Sequence, residues 1–156
     1  VYKRQVLHEI DRRKVLVEKN DYYVALCARG DSPTGHAYVA IGIDDHDAKA
    51  CRGSSFGLYP KDGKIGVFGV VPGKIVDETL AKSTHRLLVR IDSKQYAQVM
   101  AIKKGWADRG EYRLIEKDCV TFVGKIAKAI GVKTPDRTDA IRPQAFIQKS
   151  IDLNKK

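Results

Sequence analysis

The sequence lacks several features that assign a chain quickly to a functional class. No apolar run approaches the ~20 residues that a membrane-spanning helix requires. The first residues, Val1-Tyr-Lys-Arg, lead into mixed polar sequence rather than into the apolar block of a signal peptide. Internal repeats, low-complexity tracts and linkers rich in proline, glycine or serine are also absent. We therefore expect a single domain over residues 1–156 with no transmembrane segment.

Cysteine is scarce as well. Cys27, Cys51 and Cys119 are an odd number at wide spacing, which does not make a disulfide framework. There is no Cys-x-x-Cys or His-x-x-x-His pair, so the sequence predicts no metal site, and it contains no cofactor motif. A Gly-rich phosphate loop and the aromatic pattern of RNA-binding modules are missing too, so no specific nucleic-acid partner is expected.

What the chain does have is positive charge and enough apolar side chains for a core. Its 156 residues include 29 Lys plus Arg against 19 Asp plus Glu, a formal charge of +10. Hydrophobic residues make up 43%, which argues against a disordered basic tail. A domain of this charge is attracted to anionic surfaces such as nucleic acid, acidic lipid or bacterial cell wall. Charge alone does not choose among them.

The apolar pattern predicts a first half made of strands. Expected strands cover residues 22–28, 36–43, 54–59, 64–71 and 85–91. Residues 3–19 fit two interpretations, a helical face that includes Val6, Leu7 and Ile10, or a short strand over residues 14–17.

The second half of the sequence is predicted to form helices. Asp92 followed by Gln95 resembles a capping box, and Gly105 is expected to end that helix. A second helix is predicted over residues 119–130, with Asp118 as its N-cap, and a third is predicted to begin at Pro143. Because the strands precede the helices, we expect an α+β domain with an antiparallel sheet packed on helices.

Cys119 is the strongest candidate nucleophile. It lies in the first turn of a predicted helix, where unpaired amides and the helix dipole stabilise a thiolate and an oxyanion. Lys117 favours the thiolate, whereas Asp118 opposes it unless its carboxylate turns away to cap the helix. The alternative is a structural cysteine, because Cys119 also falls on the apolar stripe of the helix.

A nucleophilic cysteine needs a base, and His36 is the first choice. It stands at the start of an apolar strand, directly after a turn that contains Gly35. There an imidazole can face a helix start across a cleft. His85 is the second choice, and His46 is expected to be solvated in a polar loop. The alternative is a structural role for His36.

Two segments together resemble one family. They are Gly35-His-Ala-Tyr-Val-Ala-Ile-Gly42 and Tyr112-Arg-Leu-Ile-Glu-Lys-Asp-Cys-Val-Thr-Phe-Val123. In this order they resemble the circularly permuted branch of the NlpC-like, papain-like cysteine hydrolases, which includes the lecithin–retinol acyltransferase-like proteins. In that branch the histidine strand precedes the cysteine helix, as it does here. The resemblance covers residues 22–59 and 108–135.

The resemblance implies a permuted papain-like (NlpC-like) fold and a catalytic mechanism. Cys119 is then the nucleophile and His36 the general base and acid, and acyl transfer proceeds through a thioester. The family also places a polar residue on the next strand to orient the imidazole. Ser54, Ser55 and Tyr59 are the candidates, and we select Ser55. A dyad with a backbone carbonyl or water as the orienting group remains the alternative.

The expected activity is hydrolysis of amide bonds, with bacterial cell-wall peptide as the first choice of substrate. Peptidoglycan is polyanionic and holds a basic domain close to it. By analogy, we expect a secreted antibacterial effector domain that is delivered to the periplasm, with an immunity or carrier protein as a partner. The alternatives are a lipid acyl hydrolase or acyltransferase of the same fold, and a non-catalytic basic binding module with Cys119 in its core.

Overall fold

The computed structural model describes residues 6–30, 34–45, 50–62, 69–78 and 83–155, which form an α+β fold. Three helices pack on one seven-stranded sheet in this part of the chain. The strands are β1 (Val6–Asp11), β2 (Asn20–Arg29), β3 (His36–Asp45), β4 (Ala50–Pro60), β5 (Val71–Glu78), β6 (His85–Ile91) and β7 (Glu111–Tyr112). The helices are α1 (Ser93–Arg109), α2 (Cys119–Ala129) and α3 (Pro143–Asn154).

The sheet is mixed, which corrects the expectation of a purely antiparallel one. Its strand order is β1-β6-β2-β3-β4-β5-β7. All neighbours pair antiparallel except β1 and β6, which run parallel. The cause is that β6 lies between the first two strands of the chain. Strands β1 and β2 run in opposite directions. Because β6 pairs antiparallel with β2, it runs parallel to β1.

Two predicted boundaries also differ from the structure. Residues 3–19 contain the strand Val6–Asp11 rather than a helix, and residues 14–17 belong to no strand. Helix α1 continues through Gly105 and ends at Gly110, whose φ of 59° suits glycine. One glycine inside a helix costs only about 1 kcal/mol relative to alanine, so the helix tolerates it.

The strand predicted over residues 64–71 lies mostly outside the described residues. The observed strand β5 begins at Val71, where that prediction ends. Pro72 and Gly73 both disfavour strand interiors, and they obscured β5 in the sequence. In the structure these two residues lie where β5 pairs only with the two residues of β7 and with the end of β4.

The two faces of the sheet have different surroundings because side chains alternate along each strand. On one face, Ala37 and Val39 of β3 join a core cluster to which all three helices contribute. On the other face, Tyr38 packs with Ala25 and Cys27 of β2 in a separate cluster. Neighbouring residues of β3 therefore belong to opposite sides of the molecule.

Helix α2 is positioned on the sheet by its apolar side. Phe122 packs against Phe56 of β4 and Trp106 of α1, with ring centroids 6.0 and 5.5 Å apart. Cys119 and Val120 at the helix start are also buried. None of the helices in the described ranges is long and apolar enough to cross a bilayer.

Candidate functional site

Asp118 caps the start of α2, as the sequence predicted. Its Oδ1 accepts the amide of Thr121 at 2.9 Å, and its Oδ2 accepts the amide of Ile115 at 2.9 Å. Arg137 forms an ion pair with the same carboxylate, which is almost fully buried. The carboxylate has therefore turned into the helix start, and a cation accompanies its negative charge.

The turn before Asp118 is held in an unfavourable conformation. Ile115 has a φ of 71°, in the left-handed region that β-branched residues rarely adopt. Besides its amide bond to Asp118, its carbonyl accepts the hydroxyl of Thr121 at 2.8 Å. The flanking residues Arg113 and Lys117 pair through both backbone amides. Strain of this kind persists where surrounding contacts enforce it, as they do here beside Cys119.

The Cys119 thiol is free and only 8% of the residue is exposed. Burial raises the pKa of this thiol to about 11, and the charge of Asp118 acts in the same direction. The nearby amides of Ala37 and Val120 and the charge of Arg137 oppose this rise in pKa. The thiol is therefore protonated at neutral pH and needs a base to become a nucleophile.

A cavity of about 240 Å³ adjoins the thiol and leaves room for a substrate carbonyl. Apolar residues form much of its wall, together with two arginines; the lining residues include Leu114, Val120, Arg137, Ile141, Arg142 and Pro143. Tyr112 also lines it, and the nearby Cys119 amide lowers the pKa of its hydroxyl. Burial raises the pKa of Tyr112, so the phenol keeps its proton. The cavity thus contains a thiol and a phenol next to each other.

The His36 imidazole is packed among polar and aromatic groups. Its Nε2 lies 3.2 Å from Oε1 of Glu78. The ring stacks on Tyr59 with centroids 4.1 Å apart. A Cβ on Gly57 would lie 2.8 Å from Nε2, so the ring occupies space that only glycine leaves open. These contacts fix the ring against β4 and the end of β5.

Glu78 is the functional residue that the sequence analysis missed. It ends β5 and binds Arg29 (Nη1–Oε2, 3.2 Å), and the Tyr59 hydroxyl donates to its Oε1. Arg29 also donates to the Tyr59 hydroxyl at 3.1 Å. An acidic residue after the apolar pair Ile75-Val76 was the available signal, but β5 itself was not predicted. The negative charge of this carboxylate attracts a proton to Nε2 rather than to Nδ1.

Ser55, which was predicted to orient the imidazole, lies elsewhere on the same face. It pairs with Ala40 in the β3–β4 ladder, and its hydroxyl donates to the backbone carbonyl of Glu78. Ser55 therefore contacts the residue that holds His36 rather than the ring itself.

Cys119 and His36 meet through the backbone rather than through their side chains. The amide of Ala37, the residue that follows His36, lies close enough to the sulfur to lower the thiol pKa. The pairing of β3 with β4 ends at Val39 and Phe56, so Ala37 lies outside the paired residues of these two strands. The His36 ring, however, lies on the Tyr38 side of the sheet, whereas Ala37 shares the core cluster with Cys119. The structure thus brings the sulfur next to the His36 main chain with the imidazole turned to the other face.

The other histidines are less well placed. Nδ1 of His85 lies 2.9 Å from the Thr84 hydroxyl, and burial lowers the pKa of this imidazole. His46 lies outside the described residues. Among the described residues, no group of three His, Cys, Asp or Glu side chains is arranged to hold a metal ion.

Comparison with known proteins adds no assignment. No family model, no curated protein and no solved structure matches this chain.

Proposed function

We propose that this protein is a cysteine-nucleophile hydrolase of permuted papain-like fold that cleaves amide bonds through a thioester at Cys119. One observation carries the proposal. The Cys119 sulfur lies at a helix start, beside a cavity and near the amide of the residue after His36, which lowers the thiol pKa, and the His36 Nε2 lies 3.2 Å from a carboxylate oxygen. The candidate nucleophile thus lies beside the main chain of the candidate base, whose ring and orienting carboxylate lie on the opposite face of the sheet.

The reaction follows from these groups. Nδ1 of His36 takes the thiol proton, and the sulfur attacks the amide carbonyl. The oxyanion is stabilised by the Tyr112 hydroxyl and by the Cys119 amide, which both belong to residues that line the cavity. Protonated His36 returns its proton to the leaving nitrogen as the C–N bond breaks, and this leaves a thioester. Water, deprotonated by His36, then attacks the thioester, and the products are a carboxylic acid and the regenerated thiol.

The mechanism requires a movement of the His36 ring. In the resting arrangement the ring stacks on Tyr59, and the thiol pKa of about 11 shows no benefit from a paired imidazole. Catalytic hydrogen bonds often tighten only in the substrate complex. Because the imidazole lies on the sheet face opposite Cys119, a turn of the side chain alone does not bring Nδ1 to the sulfur, and the start of β3 at His36 must rotate as well.

Cell-wall peptide is the proposed substrate. The formal charge of +10 favours residence on a polyanionic wall, and the cavity beside Cys119 contains Arg137 and Arg142. A secreted effector that acts in the bacterial periplasm would use such a domain, and we include this setting in the proposal.

A second candidate is hydrolysis or transfer of lipid acyl groups, and the cavity mouth favours it. Leu114, Ile115 and Ile141 are each exposed by 39% or more around the turn and loop that border the cavity. An apolar mouth suits an acyl chain as well as an apolar peptide side chain.

One experiment separates these activities. Wild type, Cys119→Ala and His36→Ala are incubated with purified peptidoglycan and with anionic phospholipid vesicles, and the products are analysed by mass spectrometry. We expect peptide products with wild type and none with either variant. A covalent adduct on Cys119 after brief incubation would identify the thioester. Fatty acid release would favour the second candidate, and unchanged product release by Cys119→Ala would overturn the proposal. If wild type releases no product from either substrate, the protein is not this hydrolase.

A further inference from the structure

A second cavity lies along α2 next to the Cys119 cavity, and we call it the α2 trough. It has a volume of about 400 Å³ and shares Val120 and Arg137 with the Cys119 cavity. The remaining lining comes from one side of α2, from the segment after it and from α3: Thr121, Gly124, Lys125, Lys128, Val132, Thr134, Pro135, Asp136 and Phe146. The α2 trough and the Cys119 cavity are therefore neighbours at the start of α2.

The dimensions of the α2 trough suit an extended chain. Thr121, Lys125 and Lys128 follow helical spacing and lie along one side of α2. The eight helical residues from Thr121 to Lys128 span about 10 Å. That length accommodates about three extended residues of a peptide.

The charges of the α2 trough select an anionic occupant. Lys125 and Lys128 are exposed, and no described residue forms an ion pair with either of them. Arg137, the third cation, is already paired with Asp118. The one acidic lining residue, Asp136, lies where the trough adjoins a further cavity that also contains Asp139 and Asp152. The side of the trough that α2 forms is therefore positive one to two turns beyond Cys119, above an apolar floor that includes Phe146.

We propose that the α2 trough is the binding subsite for an anionic peptide segment, about three residues long, that adjoins the scissile amide. The inference deepens the proposed function and rests on it for the identity of the scissile bond. Carboxylates of the segment contact Lys125 and Lys128, and its backbone lies over the apolar floor. Binding there places the neighbouring carbonyl in the Cys119 cavity.

The test measures binding without catalysis. Cys119→Ala protein is titrated into a rhodamine-labelled peptide with two adjacent glutamates and into the matching peptide with two glutamines, and fluorescence anisotropy is recorded. We expect the glutamate peptide to bind more tightly. The double variant Lys125→Glu/Lys128→Glu should bind the glutamate peptide about tenfold more weakly. The substitutions remove two exposed ion pairs and replace each with a repulsion between like charges. High salt should also weaken the binding of the glutamate peptide to the Cys119→Ala protein that keeps both lysines.

The control variant is Lys61→Glu/Lys94→Glu, which changes the net charge equally at exposed lysines outside the α2 trough. Equal loss of affinity in both double variants, or equal binding of the two peptides, would overturn the inference. A failure of the proposed function is distinguishable from this result. If the glutamate peptide binds as expected but wild type forms no adduct on Cys119, the subsite stands and the hydrolase assignment fails.

Discussion

The His36 imidazole and the Glu78 carboxylate lie 3.2 Å apart, from Nε2 to Oε1, on the sheet face opposite the helices. Strand β4 runs between the two strands that carry them, and Gly57 of β4 leaves the space that the imidazole fills. The contact therefore depends on three strands and on the absence of one side chain.

Glu78→Gln should lower the hydrolytic rate about 100-fold, since general acid–base catalysis contributes about that much and the amide no longer favours the required tautomer. Glutamine keeps the size of the side chain, so the fold should be retained. Product formation is measured over a range of pH for wild type and variant. Ser55→Ala is the matched control, because Ser55 bonds only the Glu78 backbone, and it should retain activity within about threefold. Equal losses in the two variants would argue against Glu78 as the orienting group.

Gly57→Ala should displace the His36 ring. The added Cβ would lie 2.8 Å from Nε2, closer than packed atoms approach, and overpacking of this kind costs about 1–3 kcal/mol. We expect a change in the His36 imidazole NMR signals and a loss of activity of at least about tenfold, since a small misplacement of a catalytic group is costly.

Gly105→Ala is the control for that substitution. Nothing lies within 4 Å of the added Cβ, so the variant should gain about 1 kcal/mol of helix stability with unchanged activity. Thermal unfolding of both variants separates the local clash from a general glycine effect. Unchanged His36 signals in Gly57→Ala would contradict the observed packing.

The ion pair of Asp118 and Arg137 should set the ionisation of Cys119. Arg137→Gln removes a cation and should raise the thiol pKa further, whereas Asp118→Asn removes an anion, keeps a capping side chain and should lower it. The double variant should return toward wild type. The measurement is the rate of iodoacetamide alkylation of Cys119 against pH, which in wild type should rise until about pH 11.

Cys27 provides an internal control for the alkylation series. Burial also raises its pKa to about 11, but it is only 1% exposed and lies on the other face of the sheet. It should react more slowly than Cys119 and should not respond to the two substitutions. If both single substitutions shift the Cys119 profile in the same direction, they act through the fold rather than through charge.

Asp92→Ala should destabilise the protein by about 2 kcal/mol, because the buried carboxylate accepts three backbone amides. These come from Gln95 at 2.9 Å, Lys14 at 2.8 Å and Val15 at 3.1 Å. Burial alone would raise the pKa of Asp92, but the amides outweigh it and the pKa falls below its usual 3.8. This stability is present above that usual value and is lost as pH falls through the lower folded pKa. Urea unfolding at several acidic pH values should show this loss in wild type and its absence in Asp92→Asn.

The sequence by itself determined the local features of this protein. The capping box at Asp92, the cap at Asp118, the position of Cys119 in the first turn of α2 and the start of α3 at Pro143 were all predicted and are all present. Each depends on residues a few positions apart, and caps and helix starts are governed by such near neighbours.

Only the tertiary structure decided which distant groups meet. The parallel pairing of β1 with β6, the direction of the His36 ring and its contact with Glu78 rather than Ser55 depend on strand order and on the alternation of faces. A shift of one residue in register exchanges the two faces of a strand. Apolar periodicity within one strand contains no information about which neighbour it pairs with, so the face and the partner of His36 required the assembled sheet.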